Sequence, residues 1–118
     1  MRILIADDDF QVRGALRLLI EQQFDTAVVD DISSAGQLLE ISLDKEPDVI
    51  LFDWELPGGD RSKLLREIRY RYPAAAVIAL SSLPESKKEA LNCGARAFIS
   101  KNDSPEAFVP LIQAFAAK

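Results

Sequence analysis

The chain has 118 residues, of which 48% are hydrophobic and 28% charged, a composition typical of a globular domain with a real core. A net charge of −5 argues against a nucleic-acid-binding surface, which needs clustered Lys and Arg. With no histidine, His-based zinc sites and Ser-His triads on this chain are excluded.

The first predicted strand is the apolar run Ile3–Ala6, since buried parallel strands read as continuous apolar runs. It stops at Asp7-Asp8-Asp9, and Asp9 is placed to cap the first helix. There Val12, Ala15, Leu16, Leu19 and Ile20 share one helical face. Ala27–Val29 is the second strand. The second helix carries Ala35, Leu38, Leu39 and Leu43 after Ser33 and Ser34, either of which can cap it. The third strand, Val49–Phe52, ends at Asp53. The third helix carries Leu64, Leu65, Ile68 and Tyr72 and stops before Pro73.

Ala76–Leu80 is the fourth strand and runs into Ser81-Ser82. The fourth helix spans about Pro84 to Asn92, with Gly94 as its stop signal, and Ser82 with Glu85 has the spacing of a capping box. Ala97–Ile99 is the fifth strand, followed by Lys101. Ser104-Pro105 announces a fifth helix carrying Phe108, Leu111, Ile112 and Phe115, in which Pro110 predicts a kink. A single cysteine, Cys93, excludes an internal disulfide framework and fits a reducing, intracellular compartment; beside Gly94 it reads as a buried small hydrophobe. No apolar stretch approaches membrane-spanning length, and the first residues lack a signal peptide's pattern.

Five β-then-α units imply an α/β fold, a parallel sheet with helices on both faces. Ligands of such sheets bind outside the carboxyl ends of the strands. Asp7, Asp8, Asp53, Ser81 and Lys101 all follow strands, so the topology gathers them at that edge. Stacked carboxylates repel one another and lose hydration. A divalent cation such as Mg²⁺, which takes oxygen ligands, turns that cost into affinity. The plainer reading makes these residues turn formers and helix caps.

The segments ILIADDD, PDVILFDWELPGGD, VIALSS and GARAFISK, in this order and spacing, resemble the receiver domain of two-component response regulators over the full chain. The resemblance implies a single receiver domain, residues 1–118, with the flavodoxin-like strand order 2-1-3-4-5. It implies a cytoplasmic phosphoprotein that takes a phosphoryl group from a sensor histidine kinase or phosphotransfer protein and is an enzyme only toward its own phosphorylation and dephosphorylation. Asp53 is then the phosphoacceptor. Asp8, Asp53 and the backbone carbonyl of Glu55 ligate Mg²⁺, and Asp7 holds a metal-bound water. Lys101 pairs with Asp53 and then with the phosphoryl oxygens, while Ser81 offers them a hydroxyl. Ser82 is small enough to leave room for the donor. Phe98 matches the aromatic switch residue, against the alternative of a static aromatic. Output leaves through the face of helix four, strand five and helix five. That face, or the alanine-rich fifth helix (Ala107, Ala114, Ala116, Ala117), also suits a homodimer; alanine as mere helix former explains the composition equally well. No direct nucleic-acid or membrane binding is expected of the domain.

The chain departs from the family pattern in places. Asn102 follows Lys101 where a proline after a cis bond is usual; a cis bond to a non-proline residue costs roughly 3 kcal/mol. Either the bond is trans and Lys101 aims differently, or the loop stores strain. Asp60-Arg61 replaces the usual Asp-Gly, with Gly58-Gly59 just before to supply turn flexibility. Glu55 is expected at the rim, and Trp54 is either a packing residue or a lip over the site. Two further readings compete: a phosphatase resembling the haloacid-dehalogenase group, with Asp7 and Asp9 as its Asp-x-Asp, and a receiver-like interaction module that is not phosphorylated.

Overall fold

The computed structural model describes residues 1–118 except Ser42, Asp44, Ala117 and Lys118. Five strands alternate with five helices: β1 (Arg2–Ala6), α1 (Phe10–Gln23), β2 (Val28–Ile32), α2 (Ala35–Glu40), β3 (Val49–Asp53), α3 (Arg61–Arg71), β4 (Ala76–Ser81), α4 (Ser86–Asn92), β5 (Ala97–Ser100) and α5 (Phe108–Ala116). The strands form one parallel sheet in the order β2-β1-β3-β4-β5. This is the flavodoxin-like doubly wound arrangement that the sequence pattern implies.

Alternation along the central strands sorts the core into two layers. Leu4 and Ala6 of β1, Ile50 and Phe52 of β3, and Val77 and Ala79 of β4 face Leu38, Leu65, Ile68 and Ala90 from α2, α3 and α4. Ile3, Ile5, Leu51, Ile78 and Leu80 face Leu16, Ile20, Phe108 and Ile112 from α1 and α5. Burial of each of the larger apolar side chains contributes about 1.5–3 kcal/mol, so these positions are committed to one layer or the other.

The strand ends carry a first correction. β3, β4 and β5 each run one residue past the predicted apolar run, taking in Asp53, Ser81 and Ser100. β2 extends furthest beyond its prediction, through Asp30, Asp31 and Ile32. It is an edge strand, where polar side chains are tolerated; Arg2 pairs with Asp30 at 3.3 Å and Arg17 with Asp31 at 2.7 Å.

Helix signals held unevenly. Asp9 caps α1, accepting from the N–H groups of Gln11 and Val12, and Asp60 caps α3 from Ser62 and Lys63. Ser34, not Ser33, caps α2. That helix ends at Glu40, so Leu43 is not helical, although it packs on the core from the connection that follows. α4 begins at Ser86, and no side chain caps it: the Ser82–Glu85 capping box does not form. The sequence predicts a fifth helix from Pro105 with Pro110 in its interior, but the α-helix itself starts later. Pro105–Ala107 forms a 3₁₀ turn and α5 starts afresh at Phe108. Pro110 therefore sits in a first turn, where its missing N–H costs little. Ala114 is exposed on α5, and Ala117 lies outside the described residues. Cys93 is half-buried rather than buried, packed against the core beneath α4.

Candidate functional site

Because β1, β3 and β4 are neighbours running in one direction, their carboxyl ends open on one edge. Asp53 ends β3 in register with Leu80, one residue before Ser81 ends β4. Asp7 and Asp8 follow β1. Lys101 follows β5, and its N–H donates to the carbonyl of Ser81 at 2.9 Å, holding the β5 loop against β4. Asp7 and Ser81 are fully buried, Asp53 is 1% exposed, and Asp8 reaches solvent.

Carboxylate oxygens of Asp7, Asp8 and Asp53 lie within 4.8 Å of one another. The Lys101 ammonium stands 2.8 Å from Asp7 Oδ2 and 3.2 Å from Asp53 Oδ1. Asp7 Oδ1 accepts from the Asp9 N–H at 2.8 Å, and Arg13 donates to the Asp7 carbonyl at 2.7 Å. Asp53 Oδ1 accepts from the Glu55 N–H at 2.9 Å. Its other oxygen, Oδ2, is closed to solvent and has no hydrogen-bond partner.

These surroundings set the protonation balance. Burial lifts Asp53 from its ordinary 3.8 to about 6, the charge of Asp7 adding to it while the Glu55 N–H and Lys101 oppose it. For Lys101, burial pulls downward, but the hydrogen bond to Asp7 and the charges of Asp53 and Asp7 outweigh it and hold the ammonium above its usual range. One cation thus faces two buried carboxylates, with a third at the rim. The surplus negative charge, the all-oxygen donor set and the partnerless Oδ2 fit a hard divalent cation such as Mg²⁺.

The sequence profile of the response regulator receiver domain matches residues 3–113. The chain belongs to this family. It is 31% identical over 111 residues to the uncharacterized transcriptional regulatory protein YhcZ of Bacillus subtilis, covering 92% of this chain and 52% of that protein. It is 28% identical over 117 residues to the nitrate/nitrite response regulator NarL of Escherichia coli K12, covering 98% of this chain and 54% of NarL. The receiver domain from Methanospirillum hungatei superposes with a TM-score of 0.84 at 27% identity, covering 98% of this chain and 93% of that one. A LuxR-family two-component response regulator from Aurantimonas gives 0.85 at 30% identity, covering 98% and 84%. The chain spans about half the length of YhcZ and NarL. A protein-glutamate methylesterase of Cereibacter sphaeroides, 36% identical over 106 residues, is matched over only 28% of its length, so its enzymatic activity is not carried over.

Within this receiver domain, several points that the sequence left open are decided. The Lys101–Asn102 bond is trans, since no cis peptide occurs among the described residues, and Lys101 still reaches both carboxylates. Asn102 has what proline lacks, an N–H, and donates it to Ser100 Oγ at 3.1 Å; its side-chain amide reaches the Ser82 carbonyl at 3.4 Å. Gly58, at φ +108, supplies the turn flexibility before Asp60. Trp54 is a packing residue, 1% exposed and edge-on to Phe52, with its indole N–H donating to Glu89 of α4 at 3.0 Å. Phe98 is half-buried and packs on the core layer beneath α3 and α4.

Glu55 is not a free rim residue. Its Oε1 accepts from the Ser81 hydroxyl at 2.9 Å and lies 3.3 Å from the Ser82 N–H. Sequence reasoning missed this contact, as it missed Arg13 and Glu89, because each depends on which loop faces which strand end.

Proposed function

We propose that residues 1–118 form one receiver module whose Asp53 accepts a phosphoryl group. The observation that carries this is a buried carboxylate with one free oxygen, flanked by two aspartates and one lysine at the carboxyl edge of the sheet. In the transfer, one carboxylate oxygen of Asp53 forms a bond to phosphorus as the bond from phosphorus to the donor breaks, and the other is left to the cation. The leaving group is an imidazole nitrogen of a sensor histidine kinase or phosphotransfer protein, which carries a proton from solvent as it departs, or the carboxylate of a small acyl phosphate, which departs as the anion. Asp8 and Asp53, with the backbone carbonyl of Glu55, would hold Mg²⁺ directly, and Asp7 through a water. When bound, the ion offsets the repulsion between an anionic nucleophile and an anionic phosphoryl group.

Lys101, released from part of its pairing with Asp53, follows the new charge. Ser81 supplies a hydroxyl to a phosphoryl oxygen, Ser82 leaves room for the donor, and Phe98 follows Ser81 inward, biasing the face of α4, β5 and α5. Leu91, 38% exposed on that face, and Arg96, stacked on Phe115 at 5.2 Å, offer a surface for output or a second copy. Among the described residues no helix is long and apolar enough to cross a membrane. A cytoplasmic location, no direct contact with nucleic acid and no activity beyond its own phosphorylation and dephosphorylation complete the reading. The phosphatase alternative is disfavoured, because the exposed Asp9 side chain accepts through Oδ1 from Gln11 and Val12 in capping α1.

The test is incubation with Mg²⁺ and acetyl phosphate, read by intact mass, or with beryllofluoride, read by amide NMR shifts. One adduct per chain, lost in Asp53→Asn, is expected. Steady phosphate release dependent on Asp7 would favour the phosphatase, and no response of any kind the interaction module.

A further inference from the structure

Glu55 sits two residues after Asp53, yet its carboxylate crosses to the end of the neighbouring strand. There it gathers two donors, the Ser81 hydroxyl at 2.9 Å and the Ser82 N–H at 3.3 Å. Ser81 Oγ is in turn positioned by the Leu83 N–H, which donates to it at 2.9 Å. Ser81 itself is fully buried, and the second Glu55 oxygen, Oε2, is buried without a partner. A hydroxyl and an adjacent backbone N–H converging on one anionic oxygen are what a phosphoryl oxygen on Asp53 would require. In this structure that anion is supplied by the chain itself.

We propose that Glu55 is an internal stand-in for the phosphoryl group, a latch that holds Ser81 and Ser82 satisfied until phosphorylation evicts it. The inference rests on reading Asp53 as the phosphoacceptor. The arriving phosphoryl group competes with a tethered carboxylate for the same donors, and the two anions repel each other. Only the difference between the two sets of interactions is available to drive the switch. The latch therefore weakens the phosphorylated state and keeps the unphosphorylated one ordered. Glu55 acts here as a positioning residue: it forms no bond to phosphorus, and its influence passes through the Ser81 hydroxyl.

Beryllofluoride titration in saturating Mg²⁺, followed by NMR, tests this in wild type, Glu55→Ala and Glu55→Gln, each also combined with Ser81→Ala. Removing the latch should tighten beryllofluoride binding about tenfold, the worth of one charge-assisted hydrogen bond, with Gln intermediate because it keeps a neutral acceptor. Without beryllofluoride, the Ser82 amide resonance should shift in both Glu55 variants. In the Ser81→Ala background the gain from changing Glu55 should shrink to twofold or less, since the shared donor is gone. An undiminished gain there would mean simple charge repulsion and overturn the latch. Equal affinity of wild type and both Glu55 variants, with binding still dependent on Asp53, would overturn the latch alone. If neither wild type nor Glu55→Ala binds beryllofluoride, the phosphoacceptor reading fails and takes the latch with it.

Discussion

Asp53 carries a charge that the fold does not welcome. It is 1% exposed, shares one lysine with Asp7, and is lifted from 3.8 to about 6 by burial, then by Asp7. Between those two values the folded chain holds a proton that the unfolded chain has released. The contribution of Asp53 to stability is therefore most favourable below the unfolded value and falls as pH rises through about 6. The sign is opposite to that of a salt-bridged surface aspartate. Asp53→Asn removes the charge and keeps the shape, so in metal-free buffer it should be more stable than wild type by about 1–3 kcal/mol at pH 7.5. By about pH 4 the difference should be close to zero. Urea denaturation at the two pH values with a chelator present measures this, and equal stabilities at pH 7.5 would contradict it. The wild-type penalty is an expected cost of keeping the proposed phosphoacceptor buried and ionised.

At the scale of elements, α4 is tied at its middle and at its C-terminal end by contacts that its short sequence does not advertise. Glu89 accepts from the indole of Trp54, one residue beyond Asp53, and so links the site to the helix. At its C-terminal end Gly94, at φ +112, closes α4 with its N–H to Leu91, while the Ala95 N–H reaches Ala90. A Cβ on Gly94 would lie 2.3 Å from the Arg69 guanidinium of α3. Gly94→Ala must therefore take a left-handed conformation and displace Arg69 together. A loss of about 1–3 kcal/mol is expected by chemical denaturation, against at most a few tenths for Gly59→Ala, where an added Cβ meets nothing within 4 Å. A small effect at Gly94 would mean that the α4–β5 junction adjusts freely. Helix signals were legible where they are local, as Asp9 and Asp60 show, each capping through the N–H groups two and three residues ahead. They misled where loops intervene. Ser82 has capping-box spacing, but its N–H faces Glu55 from β3's loop.

For the whole molecule, the proposed cation site of Asp7, Asp8 and Asp53 makes metal affinity and stability one linked quantity. Any cation that binds the folded chain and not the unfolded one raises the melting temperature by mass action. Millimolar Mg²⁺ should raise it at neutral pH, where Asp53 is charged, and Asp8→Asn should abolish most of the gain. Thermal melts with and without Mg²⁺ check this; a shift that survives both Asp8→Asn and Asp53→Asn would place the ion elsewhere. The same melts at pH 5 should show a smaller shift, because the proton on Asp53 competes with the metal.

The sequence alone determined the order of elements, the parallel sheet and which residues gather at the carboxyl edge of its strands, because apolar runs and helical periods are local signals. It also carried the resemblance to receiver domains, since the four matching segments sit at fixed spacing along the chain. It did not reach the end of β2, where aspartates in an edge strand are held by arginines from β1 and α1. Only the tertiary structure decided how the charges are shared: Lys101 between Asp7 and Asp53 across a trans bond, Ser81 held by Glu55, Trp54 buried against Glu89. Those partners lie from 26 to 94 residues apart in sequence. Which of them meet depends on strand register and loop path, and these are set by burying both faces of the sheet at once.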